Sequence, residues 1–140
     1  MLTARDVVAL LNLSSHPEGG WFRETWRAEA PPGQRPAGTA IYFLLEAGQR
    51  SHWHRIDAAE TWHFYAGEPL ELSLATGGPA VERVVVGPDL AGGQRPQLVV
   101  PAGTWQSAVP LGSWALAGCT VSPAFDFTRF ELAPAGWQPS

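Results

Sequence analysis

The sequence predicts an all-β fold with one short helix at its N-terminus. Three observations carry that prediction. From about residue 20 onward, apolar, β-branched and aromatic residues fall into a series of short runs. The 15 glycines and 13 prolines gather between those runs. Helical spacing of apolar residues is confined to the first dozen positions. Short strands punctuated this often by turn residues give an antiparallel sandwich or barrel. A chain of 140 residues is one domain with enough length for a core.

The helix is expected over about residues 4–12. Thr3 stands where it can cap the first turn, with Asp6 three residues on, and Leu2 and Val7 occupy the two staple positions. Leu10, Leu11 and Leu13 continue an apolar stripe, which Asn12 and the run Ser14-Ser15-His16-Pro17 end. Strands follow at 21–28, 39–46, 51–56, 60–66, 69–76, 80–86, 97–101, 104–109, 113–121 and 127–132. Their separators include Pro31-Pro32-Gly33, Gly67-Glu68-Pro69, Gly77-Gly78-Pro79 and Gly87-Pro88-Asp89. The segment 87–96 is the longest connection late in the chain. No repeat, low-complexity tract or interdomain linker interrupts the pattern, so residues 1–140 read as a single domain with its barrel over about 20–132.

Composition narrows the chemistry. The formal net charge is -4 and no basic run occurs, which argues against nucleic acid and anionic membrane as partners. All nine basic residues are arginine, so no lysine Schiff base can form. Cys119 is the only cysteine; in the apolar run 114–121 it reads as a buried, inert thiol. The N-terminus carries no secretory pattern and no apolar stretch approaches the ~20 residues that span a bilayer. A cytoplasmic protein is the expectation.

The residues that carry chemistry lie in two clusters. In the first, His52 and His54 are followed by Glu60 and Gly67; in the second, Pro101 and Gly103 precede Gln106. Strand side chains alternate faces, so His52 and His54 should point the same way. Two imidazoles and a carboxylate on one cavity are the makings of a divalent-metal site. The plainer alternative is a pair of hydrogen-bonded histidines in a polar barrel mouth. Trp62 and Phe64 share the face of Glu60 by alternation, which sets that face inward, while His63 and Tyr65 face away. Gln106 either ligates or hydrogen-bonds to substrate or to Glu60. His16, in His16-Pro17-Glu18-Gly19-Gly20, is expected to fix a turn beside the pocket or a dimer contact.

These clusters resemble the two motifs of the cupin superfamily. The six-residue gap from Glu60 to Gly67 and the turn Pro101-Ala-Gly103 fit, whereas Gln106 stands where the second motif has histidine. His54 and Glu60 lie one residue further apart than usual, and Gly48 lies closer to His52. The stretches 16–22, 54–67, 100–106 and 118–127 are more closely similar to the small cupin family numbered five. That resemblance implies a double-stranded β-helix, or jelly roll, and a homodimer with shared N-terminal strands. The segment Gly20 to Glu24 also resembles part of the sugar-nucleotide epimerases within the superfamily, which implies Phe22, Arg23 and Glu24 as pocket residues alongside Trp62 and Phe64.

The expected function is binding of a small molecule by a metal-dependent enzyme of isomerase, lyase or dioxygenase type. His52, His54, Glu60 and Gln106 would hold iron, manganese, nickel or zinc, and Glu60 and His54 would be catalytic. Two alternatives stand beside it. One is a metal-free, epimerase-like isomerase in which a histidine and Glu60 are the acid–base pair. The other is a protein that binds a small ligand without turning it over, since one fold hosts many functions.

Overall fold

The computed structural model describes residues 1–140. Helix α1 (Ala4–Leu11) is followed by strands β1 (Ser14–Ser15), β2 (Trp21–Arg27), β3 (Thr39–Glu46), β4 (Ser51–Ile56), β5 (Ala59–Gly67) and β6 (Leu70–Ala75). Strands β7 (Glu82–Val86), β8 (Gln97–Val100), β9 (Trp105–Pro110), β10 (Trp114–Ser122) and β11 (Phe130–Leu132) complete the chain. They form a six-stranded sheet, β1-β2-β3-β10-β5-β8, and a five-stranded sheet, β11-β4-β9-β6-β7. Every strand pair is antiparallel. The two sheets make the jelly roll that the turn spacing and the resemblance led us to expect.

The helix forms for local reasons. The Thr3 hydroxyl accepts from the Asp6 amide at 3.2 Å and the Asp6 carboxylate accepts from the Thr3 amide at 2.8 Å, which satisfies two otherwise orphaned donors. Asn12 closes the helix in the left-handed conformation at φ 55°. Ala4 and Val7 are buried, and with Leu13 they pack on Leu44 and Leu116, so the helix seals the outside of the six-stranded sheet. Leu2 stays exposed and makes no such contact.

Inward residues of both sheets build the main core. Phe43 and Leu45 of β3, Trp62 of β5, Leu70 and Leu72 of β6, Val86 of β7 and Ala115 and Ala117 of β10 interlock there. Fully burying one such large side chain is worth about 1.5–3 kcal/mol. This cluster fills part of the sandwich and leaves the space beside Phe43 and Cys119 open.

The strand expected over 127–132 is half a strand. Asp126 accepts from the Thr128 amide at 2.9 Å and caps a 3-10 turn over Phe127–Arg129, so only residues 130–132 pair with β4. The two-residue β1 was not anticipated, because Ser14 and Ser15 lack any apolar alternation. The sharpest departure is in β4. Ser51 pairs with Ala108 and His54 with Gln106, so three steps along β4 match two along β9. That β-bulge breaks the alternation between Ser51 and His54. Trp53 and His54 are both buried although they are adjacent, and His52 turns outward.

Candidate functional site

A cavity of about 370 Å³ opens between the sheets. His16, Glu18, His54, Glu60 and Cys119 form its buried polar side, and Phe22, Phe43, Phe125 and Phe127 are its aromatic walls. The exposed Arg23, Glu24 and Arg27 of β2 stand at its mouth. Arg27 is held there by Glu24 at 2.7 Å and by the Phe125 carbonyl at 3.0 Å.

The loop between β1 and β2 delivers Glu18. It folds back on itself, with the His16 amide donating to the Gly20 carbonyl at 2.9 Å and the Gly19 amide to the His16 carbonyl at 3.0 Å. It also lies against β4, whose His52 amide donates to the Glu18 carbonyl at 2.8 Å. Gly19 and Gly20 sit at φ 108° and 84°, conformations open chiefly to glycine. A Cβ on Gly19 would collide with the Arg50 carbonyl oxygen, and one on Gly20 would lie 2.8 Å from the Leu44 carbonyl oxygen. Only glycine lets the loop press this closely on the strands and carry Glu18 inside.

Neutral groups hold the carboxyls. Ser51 donates to Glu18 Oε1 at 2.8 Å. The second oxygen, Oε2, lies 3.2 Å from His54 Nε2. His54 Nδ1 is 2.7 Å from the His52 carbonyl, which can only accept, so Nδ1 carries a proton. His54 Nε2 is left beside Glu18 Oε2 at ion-pair distance, without the alignment of a hydrogen bond. Burial pushes the Glu18 carboxyl up to about 8. Burial also pushes the His54 imidazolium down, although Glu60 and the His52 carbonyl oppose that fall. The pair is thus neutral near pH 7, with the proton on Glu18. His16 accepts from the Glu18 amide at 3.1 Å through Nδ1, and burial pushes its pKa down to about 4.

A second chain of bonds orients Glu60. Trp62 Nε1 donates to Gln106 Oε1 at 2.9 Å, and Gln106 Nε2 donates to Glu60 Oε1 at 2.8 Å. An indole N–H only donates, so the amide oxygen must face Trp62 and the amide nitrogen must face Glu60. Burial raises the Glu60 carboxyl to about 7; the charge of Glu18 adds to that rise, while His54, Gln106 and Cys119 oppose it. Burial holds Cys119 well above the usual thiol range, which keeps the thiol protonated while the cavity is closed, in line with the buried thiol its apolar setting in the sequence suggested.

A family model described as Cupin superfamily (DUF985) matches residues 5–133. This chain belongs to that family of cupins. A protein of known structure from Shewanella oneidensis is 38% identical over 95% of this chain and 85% of its own, with a TM-score of 0.90. A hypothetical protein from Leishmania major is 32% identical over 94% of this chain and 88% of its own, with a TM-score of 0.87. An oxalate decarboxylase from Bacillus subtilis shares the fold at 15% identity, over 85% of this cupin and 29% of its own length, with a TM-score of 0.62. No curated protein matches the chain.

Of the four residues expected to hold a metal, the fold brings only His54 and Glu60 to the cavity. The bulge in β4 carries His52 out, where its Nε2 lies 3.0 Å from the Pro134 carbonyl on the exposed side of the sheet. Gln106 presents an N–H, not a carbonyl oxygen, to Glu60. His16 Nδ1 is taken by a backbone amide, and His54 Nε2 lies beside Glu18. No group of three or more His, Cys, Asp or Glu side chains is arranged to hold a metal ion. The donor set of this cupin, as folded, does not fit one.

Among the expected pocket residues, Phe22, Arg23 and Glu24 line the cavity. Trp62 and Phe64 do face inward, but Trp62 lies behind Gln106 in the core and Phe64 packs against the same core. His63 faces outward toward Thr120, as alternation predicted. Sequence reasoning passed over Glu18 and Ser51. The signal was present in the pair Gly19-Gly20, which required a tight approach of the loop to some other backbone.

Proposed function

We propose that this cupin is an acid–base enzyme of isomerase or epimerase type, moving a proton on a small molecule bound in its cavity without a metal. One observation carries the reading. Two carboxyls and an imidazole face one cavity at 8%, 7% and 3% exposure (Glu18, Glu60 and His54), held by neutral donors and by each other. Buried titratable groups with pKa values brought near neutrality mark sites of proton transfer.

The roles follow from the bonds each group already makes. Glu60, oriented by Gln106, acts as the base and takes a proton from a carbon next to a carbonyl. Glu18, with Ser51 on one oxygen and His54 on the other, gives its proton to that carbonyl oxygen. In an isomerisation the resulting enediol collapses when the hydroxyl on the deprotonated carbon gives its proton to Glu18 and the former carbonyl carbon takes the proton held by Glu60, so the carbonyl moves by one carbon and both carboxyls are restored. In an epimerisation the first oxygen returns its proton to Glu18 and the same carbon, its other face turned to Glu60, takes the proton back. A metal held by Glu18 and His54 would require the Glu18 proton to leave, and one held by Gln106 as well would require its amide to turn, stranding the Trp62 N–H.

The test is deuterium wash-in, followed by NMR, with chelated protein in D2O and a panel of hydroxyketones, sugars and sugar acids. Exchange that survives chelation and disappears in Glu60→Gln is the expected result. Exchange lost on chelation and restored by an added divalent ion would return the metal to the mechanism. Saturable binding with no exchange in any compound would leave a ligand carrier.

A further inference from the structure

We propose that residues 126–140 form a strap over the cavity, hinged after Phe125 and latched by Trp137, whose release admits the ligand. This goes beyond the acid–base reading and does not depend on which reaction the cavity performs.

The segment before the hinge is fastened to the six-stranded side. The Ala124 amide donates to the Pro36 carbonyl at 3.0 Å, the Phe125 amide to Thr39 Oγ1 at 3.1 Å, and Arg35 Nε to the Ala124 carbonyl at 2.8 Å. Past it, the backbone turns on itself, with the Arg129 amide bonding to the Asp126 carbonyl at 2.9 Å. Here Phe127 lines the cavity while 51% exposed. The Phe130 ring lies 5.4 Å from that of His54 and 6.3 Å from that of His16. The strap therefore sets one ring on the cavity, Phe127, and a second, Phe130, against the rings of His54 and His16.

Its far end is held separately. Phe130, Glu131 and Leu132 pair only with the edge of β4, and the Ala133 amide donates to the Trp53 carbonyl at 2.9 Å. Trp137 then packs at 4.6 Å from the Trp105 ring and 6.0 Å from that of Trp53. His52, turned out by the bulge, reaches the Pro134 carbonyl at 3.0 Å. Glu131 also pairs with Arg55 at 2.7 Å and Arg129 with Asp57 at 3.3 Å, both exposed and worth little. A three-residue edge pairing, two surface ion pairs and an aromatic latch belong to the low-stability end of a fold's local openings.

Cys119 reports on the strap. It lines the cavity, is 2% exposed and is the only thiol, so its alkylation in the folded protein measures how often the cavity opens. Trp137→Ala removes two aromatic pairs, which favours opening by roughly tenfold to a hundredfold. Labelling of Cys119 by N-ethylmaleimide should accelerate by that factor, insensitive to low urea, and the Ala133 amide should lose hydrogen-exchange protection while Ala117 of β10 keeps its own. Trp137→Leu should give the same pattern with a smaller shift if the alanine variant folds poorly. Equal labelling in variant and wild type, or acceleration that follows global unfolding in urea, would overturn the proposal. Neither readout uses turnover, so failure here is distinct from failure of the acid–base reading.

Discussion

Raising the pH from 6.5 to 8.5 should destabilise this cupin by about 2 kcal/mol, and the direction follows from four buried groups. In the unfolded chain, glutamates ionise near 4.5 and histidines lose their proton near 6.5. The fold holds Glu18 at about 8 and Glu60 at about 7, so each keeps a proton that the unfolded chain has released, and stability falls as pH rises toward those values. It holds His16 at about 4 and lowers His54, so stability gains with pH until the unfolded histidines, half protonated at 6.5, are neutral by about 7.5. The two effects oppose each other up to that point. From 6.5 to 8.5 the carboxyls together span about two pH units at about 1.36 kcal/mol each, and the last protons leaving the two unfolded histidines offset about 1 kcal/mol of that fall. Asp6, Asp57 and Asp126 have lowered pKa values and stay ionised throughout. Urea denaturation at constant ionic strength from pH 5.5 to 9 measures the curve. Glu18→Gln is the decisive companion, because its amide N–H faces His54 and its oxygen accepts from Ser51, reproducing the protonated acid. That variant should change by well under about 1 kcal/mol over the same window, because Glu60 and the unfolded histidines nearly cancel. Stability that is flat or rising from 6.5 to 8.5 in the wild type, or an undiminished fall in Glu18→Gln, would refute the assignment of a neutral Glu18–His54 pair.

Two further substitutions probe the framework around the site. Gln106→Leu strands the buried Trp62 N–H and should cost about 1–3 kcal/mol; adding Trp62→Phe should recover part of that loss, and a urea double-mutant cycle showing no coupling would remove the relay to Glu60. Gly19→Ala places a Cβ against the Arg50 carbonyl at φ 108° and should cost roughly 2 kcal/mol or more; a variant with wild-type thermal stability would show that the Glu18 loop has room to shift.

Much of the fold was legible. Strands β2 to β10 were expected, most of them set off by Gly- or Pro-bearing turns, though only Asp57-Ala58 separates β4 from β5, and the helix announced itself through Thr3 and Asp6. The inward setting of Glu60, Trp62 and Phe64 and the outward setting of His63 followed from strict alternation in β5. The same rule failed at His52, because one extra residue in β4 rotates it by a face and nothing in Ser51-His52-Trp53-His54 marks a bulge. Glu18 was signalled only by the glycines beside it, for a different reason. Its loop is defined by which backbone it presses against, and the partners at Arg50 and Leu44 are remote in sequence. Gln106 was half legible: its bond to Glu60 was one of the alternatives, but choosing between the amide's two faces required knowing that an indole stands behind it.

The strap and the proton of Glu18 are coupled by burial. Phe130 is one of the rings that keep water from His54, and desolvation is the main force lifting the Glu18 carboxyl. Opening the strap readmits water to both groups, so the open state favours the ionised carboxylate and the closed state the neutral acid. Ligand entry and arming of the acid are then one event: closure over a bound molecule raises the carboxyl and supplies the proton. Thermodynamic linkage makes the relation reciprocal, so raising the pH must favour opening. Cys119 alkylation, corrected for the intrinsic pH dependence of the reagent with a small free thiol, should therefore accelerate from pH 6.5 to 8.5 in the wild type. In Glu18→Gln, which has no proton to lose, that acceleration should be smaller. Equal corrected acceleration in the two proteins would separate the strap from the acid and leave it a gate alone.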